Sequence, residues 1–148
     1  MHRIAQSLFQ VFPLGMASLL PGPLCSPLRS ARQELQRTLK LAFRLASTHR
    51  CPVTLEPGPT QGRGRIGMNL PEGVRWGRPT AVPLPPSLVG TGWRSGAPHP
   101  ITVMPHRRAM ANVWFLHHGQ EALCLRLSLT GAVEILRYRP RIGSWTVC

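Results

Sequence analysis

The chain has 148 residues, 43% of them hydrophobic, and a formal charge of +13. That length holds one domain at most, and once glycine is counted the apolar share is ordinary for a globular protein, so composition does not exclude folding. The charge comes from arginine plus the single lysine, Lys40; there is no aspartate, and only Glu34, Glu56, Glu72, Glu121 and Glu134 oppose it, which leaves no visible carboxylate pair for acid–base chemistry and favours unselective attraction to nucleic acid or anionic lipid.

Residues 1–27 form an apolar segment with no charge between Ile4 and Leu28. Three readings compete for it: a secretory signal with a basic start and a Pro21-Gly22-Pro23 breaker, a mitochondrial presequence in an acid-poor N-terminus, and no targeting function at all. Gln6, Gln10, Pro13, Pro21, Pro23 and Pro27 interrupt it, so the run of about 20 apolar residues that a membrane-spanning helix needs is not expected.

Residues 28–50 are predicted to be a basic amphipathic helix. At about 100° per residue, Leu28, Ala31, Leu35, Leu39, Ala42, Phe43 and Ala46 share one stripe. Arg32 lies near the stripe's edge, where its stem has to run outward along the apolar surface. Arg29, Arg37, Lys40 and Arg44 share a flank and form a candidate anion-binding face. Ser30 and Gln33 have the spacing of a capping box; Ser26-Pro27 offers an alternative start one turn earlier, with proline at the first helical position. Pro52 blocks continuation. Such a helix serves an anionic membrane, a partner groove or phosphate, or else packs its stripe on the chain's own core.

Residues 51–111 are rich in proline, glycine and arginine, with no sustained periodicity, and are expected to be a disordered linker. Gly62-Arg63-Gly64-Arg65-Ile66-Gly67 matches G-x-G-x-x-G, but prolines surround it where a dinucleotide site needs a strand before and a helix after. Arg63, Arg65 and Arg78, with Trp76 close by, are instead candidate nucleic-acid contacts. Pro83-Leu84-Pro85-Pro86 satisfies a minimal polyproline pattern without the usual basic flank.

Residues 112–148 are predicted to be a small antiparallel β meander. Asn112–His117 is rich in strand formers. Ala122–Thr130 alternates, with Leu123, Leu125, Leu127 and Leu129 on one face. Gly131-Ala132 turns the chain into Val133–Arg139, and Ser144–Cys148 adds a short last strand. The helix is expected to cover the leucine face. His117-His118 with Glu121 lacks metal-ligand spacing and is read as a polar turn. Cys25, Cys51, Cys124 and Cys148 contain no CxxC and are read as unrelated thiols; in a secreted chain two disulfides of undetermined pairing are the alternative.

Together these features predict a mostly disordered α+β protein with one N-terminal amphipathic helix and a C-terminal antiparallel meander. No enzymatic activity, cofactor, metal or small-molecule ligand is expected. The composition, dominated by residues with GC-rich codons, is that of a weakly selected reading frame with no recognisable activity. The alternatives are arginine-mediated, non-specific nucleic-acid binding and a mitochondrial or secretory address within residues 1–50 that places the protein in an organelle or at a membrane surface.

Overall fold

The computed structural model describes residues 24–60, 62–90 and 98–148. The targeting readings rest on residues 1–50, of which 1–23 lie outside the described residues. The described residues form an α+β fold with one α-helix, α1 (Ser26–His49), and two sheets. In chain order the strands are β1 (Val53–Pro57), β2 (Arg65–Met68), β3 (Arg75–Trp76), β4 (Ile101–Met104), β5 (Arg108–Ala109), β6 (Asn112–His118), β7 (Glu121–Leu127), β8 (Val133–Arg139) and β9 (Ser144–Val147).

The Ser26-Pro27 start begins α1, one turn before the Ser30–Gln33 capping box. Pro27 costs nothing there, because first-turn amides have no intrahelical partner. The Cys25 carbonyl accepts the first bond, from the Arg29 amide at 2.9 Å. The helix ends at Arg50, which turns left-handed (φ 54°) and lets the Cys51 amide reach back to the Ala46 carbonyl at 3.2 Å. All seven stripe residues are buried, and Thr38 joins them by donating its hydroxyl to the Glu34 carbonyl at 2.6 Å. Arg32 is half-buried at the stripe's edge, with its Nε enclosed and, among the described residues, without a hydrogen-bond partner.

The C-terminal half folds into a five-stranded antiparallel sheet ordered β3-β6-β7-β8-β9. Its predicted strands and turns sit where the alternation puts them, with one correction. Leu129 is 67% exposed, because Ser128 starts the turn: its amide donates to the Ala132 carbonyl, its carbonyl accepts from the Gly131 amide, and its hydroxyl accepts from the Ala132 amide. Leu123, Leu125 and Leu127 do join the core beneath α1. The strand is also closed on its other side, where Phe115, Cys124 and Leu136 cluster with Leu88.

The middle of the chain differs from the expected disordered linker. Its described residues carry β1 to β5, four of which form a second sheet ordered β2-β1-β4-β5. Each strand is too short to show a period, yet Val53, Leu55, Met68, Ile101 and Val103 are all buried in the same core as the α1 stripe. β1 and β2 run parallel across a connection of only residues 58–64, shorter than a parallel pair ordinarily needs. The glycines of the G-x-G-x-x-G match serve this tight return. A Cβ on Gly67 would stand 2.5 Å from the Gly58 carbonyl oxygen and 2.7 Å from the Thr60 amide, so only glycine lets the two backbones approach. Glu56 pins the loop by accepting from Thr60 and Arg65, each at 2.7 Å, and these bonds hold its carboxyl below the usual range.

Candidate anion-binding groove

Between the C-terminal half of α1 and the start of β8 lies a groove of about 950 Å³, within the size range of ligand pockets. Helical spacing puts Lys40, Phe43, Arg44 and Ser47 on one side, and Val133, Ile135 and Val147 come from β8 and β9. Arg107 closes the remaining side, its guanidinium carbon 5.8 Å from the Phe43 ring centroid, close enough for a cation–π contact. The site therefore has an apolar floor with three cations around it.

Among the described residues those cations have no carboxylate partner, and four of the five glutamates are paired with or close to other arginines. Glu34 holds Arg37, Glu56 holds Arg65 and Glu134 holds Arg126 at 2.7–2.8 Å, while Glu121 stands 3.9 Å from Arg137. Among the described residues Lys40, Arg44 and Arg107 make no ion pair. Glu134 lines the groove too, but its charge is shared with Arg126.

The residues singled out from the sequence separate accordingly. Of the helix face, Lys40 and Arg44 line the groove, one turn apart. Arg37 is spent on Glu34, and Arg29 sits in the first turn with its guanidinium donating to the Leu24 carbonyl at 3.2 Å. Arg63, Arg65 and Arg78 are placed differently: Arg63 is exposed in a turn, Arg65 holds Glu56, and half-buried Arg78 donates to the Val82 carbonyl. Arg107 carries no sequence signal beyond a basic pair in a stretch without periodicity. No protein-family model, curated protein or solved structure matches the chain.

The apolar stripe that a membrane would take up from a free helix is here committed to the core, and among the described residues no helix is long and apolar enough to cross a membrane. His117 and His118 end β6, with the His117 ring 3.2 Å from the Gly119 carbonyl, and among the described residues no cluster of three metal-ligating side chains occurs.

All four cysteines are free thiols. Burial pushes the Cys124 thiol up to about 12 from an ordinary 9.0. Alkylation of the native protein is therefore expected at exposed Cys51 and Cys148 first and at Cys124 only on unfolding, as peptide mapping after a timed pulse would show. The folded state keeps the Cys124 proton between those two values while the unfolded chain releases it. Its contribution to stability is complete below pH 9 and is lost as pH rises through that window, by at most about 1.4 kcal/mol per pH unit. Urea melts across this range should show a steeper alkaline loss in wild type than in Cys124→Ala.

Proposed function

We propose that this is a non-enzymatic binding protein that associates with polyanions, nucleic acid foremost, through Lys40, Arg44 and Arg107. The observation carrying this reading is the charge arrangement: the chain's own arginines occupy four of the five glutamates, and the groove cations are left facing solvent. No base-reading constellation accompanies them, so affinity comes from phosphate neutralisation and is insensitive to sequence.

Binding of a labelled single-stranded oligonucleotide, followed by fluorescence anisotropy, should weaken linearly in log–log form as salt rises. The triple variant Lys40→Glu, Arg44→Glu, Arg107→Glu should flatten the slope by about 2, since each phosphate contact contributes about 0.7 on single strands. Arg65→Ala, which removes a guanidinium already spent on Glu56, should leave the slope nearly unchanged. No binding at low salt, or a slope the triple variant does not alter, defeats the proposal.

The apolar floor favours a second reading, an amphipathic monoanion such as a long-chain carboxylate. Such a ligand would be retained at high salt, where an oligonucleotide is released, because burial of its apolar part is not screened.

A further inference from the structure

The outer face of the five-stranded sheet, away from α1, carries Phe115, Cys124 and Leu136 with Trp145 packed on them. Trp145 meets Phe115 edge-on at 6.1 Å and Tyr138 at 5.6 Å. This aromatic strip is covered by the proline-rich segment of residues 82–88. Val82 (1% exposed), Pro85 and Leu88 (3%) are buried at three-residue spacing, and half-buried Leu84 packs with Leu88 on the strip. That spacing is the three-residue turn shared by polyproline II and the short 3-10 turn at Pro86–Leu88. Pro85 has polyproline II backbone angles, φ −54° and ψ 143°.

The polar contacts match this mode of recognition. The Trp145 indole N–H donates to the Pro83 carbonyl at 2.8 Å, and Arg126 donates to the Ser87 hydroxyl at 3.1 Å. A polyproline II segment keeps its carbonyls free for such donors, since it has no internal bonds to use them. The segment's own backbone bonds, Val82 to Pro79 and Leu88 to Pro85, are local. Among the described residues no strand ladder includes residues 82–88, so lifting the segment off breaks none.

We propose that this face is a polyproline-recognition surface, and that residues 82–88 occupy it as a cis ligand which a proline-rich segment of a partner protein displaces. The partner's chemistry is set by the occupant: an extended, uncharged run with apolar residues and proline at three-residue spacing and a hydroxyl near its C-terminal end. Tethering gives the cis ligand a local concentration of about millimolar or more, so wild type binds such a peptide weakly and an opened face binds it tightly.

The test uses the full chain and a fluorescent synthetic peptide spanning residues 80–90, with a scramble of the same composition that breaks the three-residue spacing as control. The double variant Val82→Asp, Leu88→Asp should bind the peptide at least about tenfold tighter than wild type. Adding Trp145→Phe should remove several-fold of that gain by deleting the indole donor. Equal binding of the scramble, or no gain in a double variant whose circular dichroism is unchanged, overturns the proposal. If the double variant does not fold, hydrogen exchange on wild type decides. Saturating peptide should speed exchange of the Val82 and Leu88 amides while β7 and β8 stay protected; unchanged exchange at those two amides overturns the proposal.

Discussion

Trp114→Ala is expected to cost about 3–5 kcal/mol, the range for emptying a large aromatic site in a packed core. Trp114 is fully buried and heads the largest enclosed side chains. It meets Trp76 edge-on at 5.0 Å, and its indole N–H donates to the His99 carbonyl at 2.6 Å. With Asn112, whose amide donates to the Pro100 carbonyl at 3.0 Å, it fastens the approach to β4 onto β6, so these two side chains help join the two sheets. Truncation opens a cavity and also leaves the His99 carbonyl without its donor, a further loss of about 1–3 kcal/mol if water does not replace it. Against a total stability of about 5–15 kcal/mol for a domain, the variant should be partly unfolded at room temperature. Urea denaturation read by circular dichroism measures this. Trp114→Phe separates the two contributions, since it keeps most of the ring and loses only the donor. A Trp114→Ala midpoint close to wild type would mean that the core is not organised around this residue.

The helix was legible because its period is long and its face is committed. Seven apolar positions at 3.6-residue spacing cannot be arranged that way by a strand or a loop, and all seven are buried. The C-terminal strands were legible because each runs long enough to alternate and Gly119 and Gly131 stand at turns. Leu129 marks the limit of that logic: alternation continues in the sequence past the point where Ser128 hydrogen-bonds the chain into a turn. The middle was not legible. β1 contributes Val53 and Leu55, and β4 contributes Ile101 and Val103; two inward residues define no period. Their partners are distant in sequence, with Val53 opposite Val103, so the pairing is fixed by tertiary contact rather than by any local pattern. Proline and glycine at that density signal disorder by composition, but here they serve as turns and as the cover over the outer sheet face. Half of the groove was legible for the same reason as the helix, since Lys40 and Arg44 fall one turn apart. Arg107 became its third cation only through the turn that carries it.

That turn makes Gly131→Ala the substitution that should couple fold to site. Gly131 has φ +81°, a conformation that costs an alanine about 1–2 kcal/mol by itself. Space makes it worse: a Cβ would overlap the Arg107 carbonyl oxygen and stand 3.4 Å from the Phe43 ring. The overlap is with backbone, so no rotamer change relieves it. Either the turn between β7 and β8 or the turn at Pro105–Arg107 must move. The second carries its own strain, with His106 and Arg107 both left-handed at φ 64° and 58°, and yields first. Arg107 would then leave the Phe43 ring, and the groove would lose a cation without any charge having been mutated. The expected result is a destabilisation of about 2–4 kcal/mol, combining strain with overpacking, and a salt slope for oligonucleotide binding flatter by about 0.7, the contribution of one phosphate contact. Gly143→Ala is the control: its φ is +74°, but nothing lies within 4 Å of its Cβ, so it should carry the conformational cost alone and leave the slope intact. Equal effects of the two substitutions on the slope would show that Arg107 does not belong to the binding surface.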